Sequence, residues 1–76
     1  MFFAQVMLNG KWNLIDTNGN FLSKQWFDEI YGFKNGIALV ELNNKWNFID
    51  ANGNFLSEQW FDSSYDAIRF RKEFLK

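Results

Sequence analysis

The sequence predicts an all-β or β-rich fold of two tandem three-stranded antiparallel β-meander repeats, related by pseudo-twofold symmetry and followed by a short C-terminal helix or mixed segment. Three observations predict it. The stretch KWNLIDTNGNFLSKQWFD at 11–28 returns as KWNFIDANGNFLSEQWFD at 45–62, at a constant offset of 34 positions. Apolar and polar residues alternate within both copies, which is typical of strands. Asn-Gly pairs separate the apolar runs, and this is a strong hairpin signal.

The first half divides into three short segments. Residues 2–8 are partly β-branched and aromatic and are predicted to form a strand that ends at the Asn9-Gly10 turn. Residues 11–16 alternate with period two and form the second strand. A second turn at 17–19 leads to Phe21-Leu22, which we predict to be a short third strand.

The second half repeats this arrangement. Alignment of 1–28 with 35–62 gives 19 identities in 28 positions, so the two halves are expected to fold alike. Residues 37–42 restart the cycle, and Asn43-Asn44 stands where Asn9-Gly10 stood. Between the halves, residues 23–36 fit a single helical turn or an extended cover strand equally well.

The end of the chain departs from the repeat. Ser63 or Ser64 could cap a short helix that runs to Leu75, and residues 67–74 could instead form a last strand. Two cations would lie near the negative end of such a helix: Lys72 and Lys76. We favour the helix or a mixed segment.

The chain is predicted to be a single domain over 1–76. Repeat 1 covers about 1–34, repeat 2 about 35–70, and the terminal segment 63–76. A repeat of this length is one supersecondary unit, which must bury its apolar face against a neighbour.

Composition narrows the function classes. The chain has 76 residues, a net charge of −1 and neither His, Cys nor Pro, which removes the usual metal ligands, the thiol nucleophile and the near-neutral general base. Residues 16–20 and 50–54 resemble calcium loops only superficially, because their Gly is the fourth residue rather than the sixth and they lack the closing Glu. We therefore predict a non-enzymatic protein with no catalytic residues, no cofactor and no metal site.

The amino-terminal run MFFAQVML has no basic region and no small-residue cleavage site, so it is interpreted as a strand rather than a signal peptide. No run approaches the ~20 apolar residues of a membrane helix. We expect a cytoplasmic protein that does not associate with membranes.

The motifs resemble the WG (Trp-Gly) β-repeat family over nearly the whole chain, through about two repeats. The matching segments are 35–40, 45–50 (Lys-Trp-Asn-Phe-Ile-Asp), 52–53 and 61–62. Asn13 and Asn47 replace the Gly that names the family, and Asn tolerates left-handed or bulged geometry better than most residues. The resemblance implies a β-rich repeat scaffold that acts as an interaction module, without a defined shared activity.

These observations lead to the hypothesis of a protein-binding module, in which Trp12 and Trp46 are core anchors and other residues contact the partner. The candidate contact residues combine aromatic and basic side chains, which are enriched at binding hot spots: Trp26, Phe27, Trp60, Phe61, Arg69 and Arg71. By analogy with other small standalone proteins, the module could be a phage- or mobile-element-encoded inhibitor that occludes a larger host protein, such as a defence-system component, in the bacterial cytoplasm.

Two other modes of binding are considered. Exposed tryptophans, Trp26 and Trp60, could instead bind carbohydrate or cell wall by stacking on sugars. Without a partner, a homodimer is expected to pair the free edges of the first strand and the terminal segment. Direct nucleic-acid binding is not expected, because only 69–72 interleaves basic and aromatic residues.

Overall fold

The computed structural model describes residues 2–74 and shows five strands and one helix. They are β1 (Phe3–Leu8), β2 (Lys11–Asp16), β3 (Glu29–Lys34), β4 (Ile37–Leu42), β5 (Lys45–Asp50) and α1 (Ser64–Phe74). The predicted β-rich class and the terminal helix are confirmed. Met1, the predicted extension of the helix to Leu75, and Lys76 as a cation near its end lie outside the described residues. Within residues 2–74, no helix has the length and apolar character needed to span a membrane.

The strands form two antiparallel sheets, one ordered β1-β2 and the other β3-β4-β5. The first sheet thus has two strands rather than three, because Phe21 makes only an isolated bridge to Ile15. The Asp16 carboxylate explains the interruption: its Oδ1 accepts the backbone N–H groups of Asn18 and Asn20, both at 2.9 Å, and curls the chain into a tight turn. The third strand of the second sheet is β3. It lies within residues 23–36, for which periodicity did not decide between a helical turn and a strand.

Three two-residue turns connect the hairpins, as the sequence predicts. Asn9-Gly10 and Asn35-Gly36 both have positive φ at each residue, as does Asn43-Asn44 with φ of 54° and 62°. Such turns match the twist of the flanking strands, and Asn tolerates the left-handed region better than most side chains. Each turn therefore fixes the register of its hairpin.

The two repeats share a hydrophobic core. The offset of 34 positions carries β1 onto β4 and β2 onto β5 residue for residue. One core cluster contains buried residues from both repeats: Leu14, Phe27, Ile30, Ala38, Val40 and Ile49. A second cluster lies on the other face of the larger sheet: Ile37, Phe48 and Ala67 of α1. The order of layers is therefore β1-β2, then β3-β4-β5, then α1.

The predicted core anchors Trp12 and Trp46 occupy equivalent places at the edges of these clusters. Trp12 packs against the first cluster and Trp46 against the second, and both side chains are half-buried. The largest fully buried side chains are instead Phe27 and Phe48, at 1% and 2% exposure.

Asn13 and Asn47, which replace the glycine of the WG pattern, are fully buried. Neither has positive φ, so they do not serve a left-handed or bulged conformation as the sequence suggested. The Asn47 amide donates to the Ser57 carbonyl oxygen at 2.9 Å and accepts the N–H of Phe48 at 2.7 Å. Asn13 makes the equivalent pair of bonds in the first repeat. Each Asn thus ties its strand to the loop that follows the strand.

An offset of 34 from β3 would place another strand at 63–68, but helix α1 begins there, at Ser64. Ser63 caps it, because its hydroxyl oxygen accepts the N–H of Asp66 at 3.2 Å. Asp66 lies in the first turn, and Arg71 and Lys72 lie in the last, which suits the helix dipole. The chain therefore covers the second sheet with a helix in place of further strands.

Two equivalent glycines provide a test of repeat stacking. Gly19 and Gly53 have almost the same φ, 84° and 85°, but a Cβ at Gly53 would lie 2.6 Å from the Leu22 carbonyl oxygen, whereas a Cβ at Gly19 would meet nothing within 4 Å. We expect Gly53→Ala to lower the free energy of unfolding by at least ~1 kcal/mol more than Gly19→Ala. Both substitutions introduce the same backbone strain at positive φ, but only the Cβ at position 53 clashes with a backbone atom. Urea denaturation measures the difference, and equal losses would contradict this contact between the repeats.

Candidate interaction surface

A groove runs between α1 and the end of the second repeat, and we call it the α1 groove. Its volume is about 440 Å³, and it is lined by Trp60, Phe61, Asp62, Asp66, Arg69, Phe70 and Glu73. The four lining residues from the helix are spaced by three, one and three positions. This spacing places them on one face of the helix, while Ala67 on another face packs into the core.

The floor of the groove is aromatic. The rings of Phe61 and Phe70 lie 5.2 Å apart, which joins the helix to the repeat. Trp60 packs against Phe55 at 5.1 Å and stacks on Phe27 at 6.4 Å, at an interplanar angle of 30°. Because these rings support one another, the floor is pre-formed and offers apolar area at low entropic cost.

The rim of the groove carries charges of both signs. The Asp62 carboxylate accepts a hydrogen bond from the Lys45 ammonium. The Nη1 atom of Arg69 lies 3.9 Å from Oδ1 of Asp66. The Arg69 side chain is 78% exposed, so its guanidinium is available to a carboxylate or a carbonyl of a partner. An aromatic centre with a charged rim is the usual anatomy of a protein-binding surface.

Three of the six predicted contact residues meet in this groove: Trp60, Phe61 and Arg69. The sequence did not identify the other four lining residues: Asp62, Asp66, Phe70 and Glu73. The signal for the three on the helix was their helical spacing, which becomes visible only once 64–74 is assigned as a helix rather than a strand.

The remaining three predicted contact residues lie elsewhere. Phe27 is 1% exposed and belongs to the core, so its side chain is not on a binding surface. Trp26 is half-buried and packs edge-on against Phe21 of its own loop, 5.1 Å away. The Arg71 guanidinium lies over the ring of Phe48, 5.7 Å from its centroid, outside the groove.

The Lys45–Asp62 pair on the rim has an equivalent in repeat 1, Lys11–Asp28. There the Lys11 ammonium and the Asn43 N–H, which donates to Oδ2 at 2.8 Å, hold the pKa of Asp28 below its ordinary value of 3.8. Since folding lowers this pKa, the stabilisation is present at neutral pH and is lost as the pH falls through the lowered pKa. The Asp28 carboxylate therefore joins Lys11 of β2 to the turn between β4 and β5, in which Asn43 lies.

The loops that superficially resemble calcium sites have a structural explanation. Asp50 Oδ1 accepts the N–H groups of Asn52 and Asn54 at 2.8 and 3.0 Å, as Asp16 does in its own turn. In the described part of the chain, no group of three or more His, Cys, Asp or Glu side chains could hold a metal ion.

Comparison with known families supports the resemblance. Residues 14–46 match the family described as WG containing repeat. This segment runs from the second strand of repeat 1 to the second residue of β5, so it spans the junction at which the two repeats stack. No curated protein matches the chain, and no solved structure does.

Proposed function

We propose that the chain, whose residues 14–46 match the family described as WG containing repeat, is a non-enzymatic protein-binding module whose contact surface is the α1 groove. One observation carries this proposal: three contact residues chosen from the sequence, Trp60, Phe61 and Arg69, converge on one groove with an aromatic floor and a charged rim. Hot spots are enriched in such aromatic and arginine side chains.

The charges on the rim support binding rather than catalysis. Asp62 is paired with Lys45, and Asp66 lies near Arg69. The side chains of Asp62 and Asp66 are 79% and 51% exposed, so they can contribute to charge complementarity with a partner, which favours specificity and rapid association.

The proposal can be made more specific: the module acts as an inhibitor. We propose that the protein is encoded by a phage or mobile element and acts in the cytoplasm of the bacterial host, where it occludes a surface of a larger host protein such as a defence-system component. A module bound through a surface of standard size blocks other partners of that surface. This part of the proposal rests on analogy with proteins that inhibit by covering a surface of a larger partner.

Carbohydrate binding is the alternative, and the ring contacts disfavour it. Stacking on a sugar needs an open ring face, but Trp60 is stacked on Phe27 and also packs against Phe55. Trp26 has the edge-on contact with Phe21 and is separate from the groove. Binding to a glycan array, with no protein captured from host lysate, would favour the alternative.

A charge-reversal pair tests the α1 groove. Arg69→Glu is expected to weaken binding to a captured partner by about tenfold or more, because it replaces the exposed cation of the rim. Lys72→Glu is the matched control: it makes the same charge change at an exposed residue of the same helix that does not line the groove.

The comparison is made by titration of each purified variant against the partner identified by pull-down and mass spectrometry, after circular dichroism has shown that both variants fold. Equal weakening by the two variants would indicate a general electrostatic effect, and unchanged binding by Arg69→Glu would place the contact surface elsewhere.

We also propose that the free protein forms a homodimer. Of the two edges predicted to pair, the terminal segment is a helix and only β1 is a strand. Large apolar side chains are exposed on and beside β1, including Phe2, Met7 and Leu8. Sedimentation velocity at high micromolar concentration is expected to show a dimer, and a monomer under those conditions would refute it.

A further inference from the structure

The two repeats differ at the outer edge of their first strands. β1 and β4 occupy the same place in their repeats and share Ala, Val and Leu at equivalent positions. In β4, Ala38 and Val40 are fully buried, whereas in β1 the equivalent Ala4 is exposed and Val6 is only half-buried. β4 pairs with β3 on one side and β5 on the other, while β1 pairs only with β2 in the described part of the chain. β1 is therefore exposed at the edge where β4 is covered by β3.

The β1 edge lacks the features that protect other edges. It pairs with β2 without a register shift over all six of its residues, FAQVML, and carries no charged side chain. β3 is also an edge strand, but it has a register shift between Ile30 and Phe33, a glycine with positive φ at Gly32, and charges at both ends. Bulges and charges block pairing, and flat apolar edges invite it.

A second groove, of about 260 Å³, opens beside this edge and is lined by Phe2, Phe3, Ala4, Ile15, Asp16 and Thr17. The equivalent residues of repeat 2 indicate which side chain would fill this groove. The equivalents of Ala4 and Ile15 are Ala38 and Ile49, both fully buried and both in the cluster against which Phe33 packs. Phe33 stands opposite Ala38 in the β3–β4 ladder. An aromatic side chain opposite Ala4 would thus fill the groove.

We propose that the outer edge of β1 and its groove form a strand-accepting site, separate from the α1 groove, for an extended segment of a partner protein. The segment resembles β3: an aliphatic residue, any residue, glycine, then an aromatic residue, as in Ile30-Tyr31-Gly32-Phe33. It pairs antiparallel to β1 in the β3–β4 register, with its aliphatic residue opposite Val6 and its aromatic residue opposite Ala4. Main-chain hydrogen bonds supply affinity, and the groove supplies specificity for the aromatic side chain.

The chain provides its own probe for this site, a synthetic peptide with the sequence of residues 28–35, DEIYGFKN. Titration into the isotope-labelled full chain, followed by NMR, is expected to shift the β1 amides and to protect from exchange those that point away from β2. A peptide with serine in place of its phenylalanine, the equivalent of Phe33, is expected to bind at least tenfold more weakly, because it leaves the groove empty.

A pair of lysine substitutions on β1 locates the bound peptide. Ala4→Lys is expected to weaken binding at least tenfold, because it places a charge at the mouth of the groove. Met7→Lys, at an exposed residue on the opposite face of the strand, is expected to change it less than threefold. Arg69→Glu, in the other groove, is expected to leave peptide binding unchanged, so failure at one site is distinguishable from failure at the other.

Several results would overturn the proposal. They are the absence of β1 shifts at millimolar peptide, shifts confined to β4 or α1, and equal effects of Ala4→Lys and Met7→Lys. A homodimer paired through β1 that the peptide does not dissociate would also overturn it, because the occupant of the edge would then be a second copy of the chain.

Discussion

Replacing Phe27 by alanine is expected to lower the free energy of unfolding by about 3–5 kcal/mol, the usual cost of removing a buried phenylalanine. Phe27 is 1% exposed, packs in the cluster that joins the two repeats, and contacts Phe55 and Trp60 of the second repeat. Small domains are stable by only 5–15 kcal/mol, so this variant should unfold at much lower urea concentration. Tryptophan fluorescence during urea denaturation gives the measurement.

The repeat provides a matched control at the equivalent residue, Phe61. This side chain is half-buried and lines the α1 groove. Phe61→Ala is therefore expected to cost clearly less stability than Phe27→Ala and to weaken partner binding more than it weakens folding. Equal stability losses would show that the cluster between the repeats is no more important than the groove, and would contradict the order of layers.

The contrast between Phe27 and Phe61 shows what the sequence cannot reveal. The two residues lie in identical QWFD segments, and sequence analysis assigned both to a contact surface. Their burial differs because Phe27 lies between two stacked sheets, while Phe61 lies next to the terminal helix. Local sequence encodes the unit, but the position of the unit in the stack decides which of its side chains are covered.

The strands show a similar division. Asn-Gly and Asn-Asn turns predicted three hairpins, because those residues accept the positive φ that two-residue turns require. β3 could not be predicted in the same way. Its register shift, between Ile30 and Phe33, interrupts the alternation on which strand prediction depends. The α1 groove was only half predicted for a related reason, since its helical face appears only after the terminal segment is known to be a helix.

The buried asparagines lead to the second large effect. Asn47→Ala is expected to lower the free energy of unfolding by about 2–3 kcal/mol, because it leaves the buried N–H of Phe48 and the Ser57 carbonyl without their partners. Asn54→Ala is the control. Its side chain is exposed in the neighbouring turn, and its backbone N–H keeps the bond to Asp50, so a change within ~0.5 kcal/mol is expected.

Asn47→Gly separates the two explanations for this position, since glycine is the residue that the WG pattern places there. If the amide holds the loop to β5, glycine fails as alanine does and loses slightly more, because it adds backbone entropy to the unfolded chain. If the position instead requires conformational freedom, glycine restores the stability of the parent protein. The ordinary φ at Asn47 and its two side-chain bonds favour the first outcome. Full stability of Asn47→Gly in urea would show that these bonds contribute nothing net.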